Sequence, residues 1–387
     1  MTVTAPQGFR AAGVAAGLKS NGNPDVAVVV NDGPDDAAAA VFTTNRFPAA
    51  PVQWSRQVLS GGRLKAVVLN SGGANACTGP EGFGDTHATA EHLAAALGIG
   101  AIDVAVASTG LIGVRLPMEK LLAGVTDALG RLAADGGPAA AQAIMTTDTV
   151  PKTTVQTGST DGGAWTVGGM AKGAGMLAPS LATMLVVLTT DAVVPAEVLQ
   201  RALVAATSVS VERVDSDGCL STNDTVIAMA NGASGVTPSE AELTAALTAA
   251  ASDLAMQLLA DAEGSTKDIA ITVRSAASVA DALNAARACA RNNLLKTALF
   301  GNDPNWGRVL AAIGTTDAAF EADQVDVTIN GVTVCRGGSI GDPREGVDLT
   351  GRAITIDVDL RAGTEQATIW TNDLSIAYVH ENSAYSS

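Results

Sequence analysis

Six short apolar runs recur along this chain: Asp25–Val30, Leu64–Leu69, Asp103–Ala107, Met184–Leu188, Thr225–Ala230 and Asp268–Val273. Each is too short for a core helix, and most stop at Gly, Asn, Ser or Thr, the pattern of strands buried on both faces. Two later candidates lie near Val325–Ile329 and Ile354–Leu360. Between the runs are longer stretches with helical spacing, from Pro117 to Leu132, Pro195 to Thr207, Pro238 to Ala262 and Val279 to Arg291. Pro195 and Pro238 suit a first helical turn, where an amide hydrogen has no partner to lose. Interleaved strands and helices, Gly-rich loops and strand pairs toward the C-terminus predict an α+β fold with a mixed sheet rather than a regular doubly wound one.

Composition narrows the function classes. A chain of 387 residues can bury about three quarters of its unfolded surface. With 47% hydrophobic but only 3% aromatic residues, its core is aliphatic and few rings are left to stack on nucleobases. The net charge of −16, from 23 basic and 39 acidic residues, repels nucleic acids and anionic membranes. Such a surface either attracts a cationic amino acid or simply keeps the protein in solution. Cys77, Cys219, Cys289 and Cys335 are far apart and read as reduced thiols, and with His87, His92 and His380 they form no metal-binding motif. The N-terminus lacks a charged region followed by an apolar one, and no uninterrupted apolar run is long enough to span a bilayer, so the expectation is a cytoplasmic protein.

Thr183 stands between a glycine-rich approach, Gly169 to Gly175, and the run Met184–Leu188. Taken alone, a threonine there is an ordinary strand-entry residue, because β-branched side chains favour strands. A hydroxyl so placed can also cut its own chain by an N-to-O acyl shift and hydrolysis. That matters because a threonine hydroxyl needs a base. The α-amine freed by cutting the Ala182–Thr183 bond would supply one, with an unperturbed pKa of about 7.7 to 8.0.

The blocks Lys172-Gly173-Ala174-Gly175-Met176 and Pro179-Ser180-Leu181-Ala182-Thr183-Met184 resemble the signature of the ornithine acetyltransferases, the ArgJ family of arginine biosynthesis. Further blocks follow the same order: Asn70–Cys77, Ser108–Gly113, Met145–Thr149, Ser221–Thr225, Asp261–Gly264, Gly301–Arg308 and Asn382–Ser387. Ser180-Leu181 departs from the Asn-Met common before Ala-Thr, without removing a reacting group. The resemblance implies a layered α/β sandwich of the ArgJ/DmpA-like type, with mixed sheets and helices outside. It implies self-cleavage at Ala182/Thr183 into an alpha chain, residues 1–182, and a beta chain, residues 183–387, assembled as an α2β2 heterotetramer. The implied reaction moves acetyl from N2-acetyl-L-ornithine to L-glutamate through acetyl-Thr183, releasing L-ornithine and N-acetyl-L-glutamate. No metal or redox cofactor is implied; some members also accept acetyl-CoA, for which the chain has no recognisable binding signature.

Residue by residue, the resemblance makes Thr183 the nucleophile, with the Thr109 hydroxyl and the Gly110 amide as oxyanion hole. An isolated Ser-Thr-Gly would otherwise be a plain turn. Substrate contacts fall on Thr149, Lys172, Thr183, Glu263, Asn382 and Ser387. Lys172 suits a carboxylate, Glu263 the ornithine ammonium, and Asn382 and Ser387 neutral hydrogen bonds. Within Met145–Thr149 the contact is Thr146 or Thr149, with Thr149 favoured. In isolation Lys172 and Glu263 would be solvated charges and the last six residues a frayed tail. Neither glycine-bearing loop fits a nucleotide motif, and the polar stretch Gly301–Arg308, a turn by composition, is assigned to scaffolding the site. Two other readings remain: a self-processing aminopeptidase or amide hydrolase, in which water takes the acyl group, and a non-catalytic amino-acid-binding protein.

Overall fold

The computed structural model describes residues 2–176 and 184–384. Three sheets organise them. The first has the order β1 (Phe9–Val14), β2 (Val26–Asn31), β4 (Ala66–Asn70), β5 (Val104–Ser108), antiparallel except for the parallel pair β4/β5. The second runs β3 (Ala37–Phe42), β9 (Thr225–Ala230), β8 (Leu185–Thr190), β7 (Gly163–Lys172), β6 (Lys152–Thr160), with β8 and β9 parallel. Mixed pairing of this kind matches the expected α+β architecture.

These two sheets form the sandwich, and side-chain alternation explains how. In β8, Leu185 and Val187 enter one apolar cluster with the first sheet, while Val186 and Leu188 enter a second cluster. Strand β9 divides likewise, Ile227 and Met229 to the first and Val226, Ala228 and Ala230 to the second. A strand loaded on both faces must be apolar throughout, which is why these runs were continuous in the sequence. The second cluster is closed by helices α5 (Ala196–Ser208) and α6 (Glu240–Ala260). The first is completed by α1 (Ala50–Val58), α2 (Gly79–Leu97), α3 (Met118–Gly130) and α4 (Gly137–Ala143).

Pro195 and Pro238 both lie before the first helical turn rather than in it, by one residue and by two. Pro195 is the N-cap of α5, and Pro238 precedes Ser239, which caps α6 in a reciprocal box with Glu242. By length and composition alone α6 could cross a membrane, 21 residues at mean hydropathy 1.4, a stretch that the search for uninterrupted apolar runs passed over. It nevertheless begins with Glu240 and Glu242, and Leu243, Leu247, Leu254 and Leu258 pack into the second cluster.

The third sheet builds a C-terminal lobe. Its order is β13 (Ser339–Ile340), β12 (Val332–Arg336), β11 (Asp326–Ile329), β14 (Ala353–Asp359), β10 (Asp268–Ala276), β15 (Glu365–Asn372). Helices α7 (Val279–Ala290), α8 (Asn293–Phe300) and α9 (Trp306–Ile313) share its core, and α10 (Ile376–Ala384) ends the described chain.

Candidate active site

Strand ends from both sheets of the sandwich meet at one rim. Asn70 and Ser108 close the parallel pair β4/β5 in register, and the Ser108 hydroxyl donates to Asn70 Oδ1 at 2.5 Å. Beyond them the two loops are joined: the Gly73 N–H donates to the Thr109 carbonyl at 3.0 Å and the Ala74 N–H to that of Leu111 at 3.1 Å. Gly110 has φ +130°, and a Cβ there would lie 2.7 Å from the Gly73 nitrogen, so only glycine fits. From the second sheet, Asn223 Nδ2 donates to the carbonyls of Ala74 and Ser108 at 2.6 and 2.8 Å. Thr109, Gly110 and Asn223 are thus fixed against one another, and all three line an open cleft of about 640 Å³, its mouth included.

Lys172 enters this cleft from the end of β7. It is 2% exposed, with Nζ 3.4 Å from Thr109 Oγ1 and 3.9 Å from Asp148. Asp148 is the hub beneath it, accepting from Lys152 Nζ and the Gly173 N–H at 2.7 Å each and from the Thr146 N–H at 2.9 Å. Burial alone would raise its pKa; the charges of Lys172 and Lys152 and these hydrogen bonds more than offset that and hold it at about 2. Lys152 is itself fully buried and also pairs with Asp261 at 2.5 Å. Burial lowers the pKa of Lys172, with Asp148 opposing and Lys152 reinforcing the shift. The charge on Lys172 therefore depends on Asp148.

The far wall carries Glu263, 8% exposed just past α6. Its N–H donates to the Ala174 carbonyl at 2.9 Å, and a Cβ on Gly175 would come within 2.5 Å of its carboxylate, so the glycine loop after β7 is moulded around this side chain. Ser375 Oγ donates to the Gly264 carbonyl at 2.5 Å, which docks the start of α10 here and brings Asn382 to the cleft. A cation and an anion thus face one cavity beside a hydroxyl and a main-chain amide, a donor set suited to an amino acid and a developing oxyanion.

Of the residues named from sequence, Thr109, Gly110, Lys172, Glu263 and Asn382 line the cleft. Ala182, Thr183 and Ser387 lie outside the described residues. Thr149 does not line the cleft: it is exposed, with its hydroxyl and N–H both bound by Asp261, whereas Thr146 and Thr147 take the cleft wall. The Gly301–Arg308 stretch, expected to scaffold the site, instead belongs to the C-terminal lobe, with Asn305 capping α9 and Trp306 packed against the lobe's core, and it is not among the residues that line the cleft. Sequence reasoning missed Asp148, Lys152, Asp261 and Asn223. The available signal was that three of them are polar residues inside blocks already singled out, and that Lys152 is an isolated cation opening a threonine-rich run.

Known proteins resemble this chain along its length. The ArgJ family model matches residues 10–387. The arginine biosynthesis bifunctional protein ArgJ of Thermobifida fusca is 64% identical over 386 residues, and that of Streptomyces avermitilis 64% over 387, each covering 100% of both chains. A crystal structure of ornithine acetyltransferase complexed with ornithine, from Mycobacterium tuberculosis, is 61% identical, covering 48% of this chain and 96% of that one at a TM-score of 0.45. With a matched region that spans both sheets of the sandwich, the C-terminal lobe and every residue of the cleft, this chain belongs to the ArgJ family.

Proposed function

We propose that this acyltransferase moves acetyl from N2-acetyl-L-ornithine to L-glutamate, and that the observation carrying this reading is the pairing of Lys172 and Glu263 across a cleft lined by Thr109 and Gly110. Lys172 holds the α-carboxylate, Glu263 the side-chain ammonium of ornithine, and the Thr109 hydroxyl with the Gly110 amide stabilises the tetrahedral oxyanion, each donor worth roughly 3 kcal/mol. Thr183 is the nucleophile, its own α-amine the base, after the chain has cut itself at Ala182/Thr183 into residues 1–182 and 183–387. Acetyl-Thr183 then divides the reaction in two: ornithine leaves, glutamate enters the same pocket, and the amine of glutamate takes the acetyl group. The two pieces stay together because β8 and β9 of the second lie between β3 and β7 of the first. The reaction as drawn uses only the chain's own groups and two amino acids, with acetyl-CoA as a further donor. The assembled form is an α2β2 heterotetramer in the cytoplasm.

The test is acetyl-labelled N-acetylornithine with glutamate, followed by intact-mass measurement. Label on glutamate, a fragment beginning Thr-Met-Leu-Val-Val, and one acetyl on that fragment when glutamate is withheld are the expected results. Label on free acetate would favour the amide hydrolase, and an uncut, unacetylated chain with no transfer would favour a binding protein. Replacing N-acetylornithine by acetyl-CoA decides whether it is a donor.

A further inference from the structure

We infer that Lys152 and Asp261 set the length of the amino acid that the cleft accepts, by fixing the span between Lys172 and Glu263. The inference rests on the reading above, in which Lys172 takes the α-carboxylate and Glu263 the side-chain ammonium, and it names what selects that substrate among its homologues. A closed ring of contacts joins the two readers. The Glu263 N–H donates to the Ala174 carbonyl at 2.9 Å, and one residue back the Gly173 N–H donates to Asp148 Oδ1 at 2.7 Å. Asp148 Oδ1 accepts from Lys152 Nζ at 2.7 Å, and the same ammonium reaches Asp261 Oδ2 at 2.5 Å. Asp261 stands two residues before Glu263, which closes the ring. Glu263 is a member of it, and Lys172 is bonded to its member Gly173.

Neither Lys152 nor Asp261 lines the cleft, so their part is to position. The side chains of Lys152 and Asp148 are fully buried and that of Asp261 is 9% exposed. A cation sealed between two carboxylates adds little net stability, because desolvation offsets the attraction. What it secures here is one arrangement, since loss of any member leaves a buried charge unpaired. Lys172 and Glu263 need such anchoring, because their opposite charges act on one another and would draw two loose side chains together. Asp148 holds Lys172 from behind at 3.9 Å, and Ala174 holds the Glu263 main chain. Asp261 also accepts from the Thr149 N–H at 2.9 Å and from its hydroxyl, steadying the segment from which Thr146 and Thr147 reach the cleft wall. One turn earlier on α6, Gln257 exchanges two hydrogen bonds with the Thr153 main chain at 3.0 Å each, so the helix end is locked to β6. A cation and an anion anchored in this way measure what lies between them. A side chain one methylene shorter leaves a gap, and one methylene longer must buckle.

The experiment compares kcat/KM for acetyl transfer to glutamate from N2-acetyl-L-ornithine and from the homologues one methylene shorter and longer, N2-acetyl-L-2,4-diaminobutyrate and N2-acetyl-L-lysine. Wild type should prefer the ornithine compound by roughly 10- to 200-fold. Asp261→Asn keeps an acceptor for Thr149 and removes the charge that holds Lys152. The double variant Lys152→Met with Asp261→Asn removes the cation together with one counter-charge, so no buried ammonium is left unpaired. In both, the preference should fall at least fivefold, because the ornithine compound loses more than its homologues do. Ile356→Ala, which opens a void in the C-terminal lobe, should yield less folded enzyme at the wild-type preference, and a merely structural role for Lys152 and Asp261 would give that same pattern. A preference kept within twofold of wild type in whichever of the two cleft variants folds overturns the inference, as does a wild type indifferent to length. A wild type that transfers acetyl from none of the three would instead overturn the reading on which it rests.

Discussion

In the sandwich, buried strands end in polar or charged residues that are sealed from water: Asn70 on β4, Ser108 on β5, Lys172 on β7 and, just before β9, Asp224. The C-terminal lobe is patterned differently. Its strands β10 and β14 turn Ile269, Ile271 and Val273, and Ile354, Ile356 and Val358, into the core, while Asp268, Thr272, Asp357 and Asp359 keep some contact with solvent. A sheet covered on one face can place polar groups anywhere along a strand. A sheet covered on both has room for them only where strands stop, and where several stop together the polar groups face one another instead of water. The cleft is that meeting point.

Removing the hub of the cleft should separate the two regions most clearly. Asp148→Ala leaves Lys152 with one of its two carboxylates and strips the acceptor from Gly173 and Thr146, so a loss of about 3–5 kcal/mol is expected, with acetyl transfer abolished. Ile356→Ala in the lobe should cost a comparable 2–5 kcal/mol while leaving kcat/KM of the folded fraction unchanged. Urea unfolding with parallel transfer assays checks both; a cheap Asp148→Ala or an inactive but folded Ile356→Ala would erase the distinction.

Lys172→Met comes next in size. The aliphatic replacement fills the space without the charge, so the fold should persist while kcat/KM for N-acetylornithine falls by about two orders of magnitude. Unchanged kinetics would remove Lys172 from carboxylate binding. A milder probe is Gly175→Ala, whose new methyl would displace the Glu263 carboxylate; KM for N-acetylornithine should rise by roughly tenfold. Gly351→Ala in the lobe meets open space and should leave both stability and kinetics within about 0.5 kcal/mol of wild type.

The smallest difference should appear in the pH dependence of stability. Asp148, held at about 2, adds stability that is fully present above the unfolded value of 3.8 and is lost as pH falls through 2. Lys296, on α8 where the lobe meets the sandwich, is pushed down by burial to about 8 despite the charges of Asp215, Asp217 and Asp373. The folded state then binds fewer protons than the unfolded one between pH 8 and 10.5, so this group makes stability climb across that window. Urea midpoints should lose their acid limb in Asp148→Asn and flatten on the alkaline side in Lys296→Met. An unaltered profile in either would dissociate that limb from its group.

Strands loaded on both faces were legible because their burial forbids interruption: Asp25–Val30, Met184–Leu188 and Thr225–Ala230 fall within two residues of β2, β8 and β9. Strand β3 was not, since its Ala37–Ala40 run favours a helix by intrinsic propensity and becomes a strand only through pairing with β9. The β6–β7 hairpin escaped because threonine and glycine dominate it. At the cleft, Lys172 and Glu263 were legible through neighbouring motif residues. Lys152 and Asp261 were not, because their partnership spans 109 residues and leaves no local period. The place of Thr149 was not legible for the same reason: the distant Asp261 binds its hydroxyl, and Thr146 and Thr147 line the cleft instead.

The order β3-β9-β8-β7-β6 also bears on how such a molecule can be made. While the chain is continuous, β7 and β8 reach each other by closing a short loop, an encounter whose entropy cost hardly depends on concentration. Were the chain cut before residue 183, as proposed, the two pieces would hold together through the β9/β3 and β8/β7 pairings, but unfolding would let them diffuse apart. Refolding then requires a bimolecular meeting, and the midpoint of denaturation should shift with protein concentration, as for an obligate dimer. The proposed cleavage would therefore act as a ratchet: assembly is easy once, in a single uncut chain, and a dilute solution of separated halves would have no comparably fast way back.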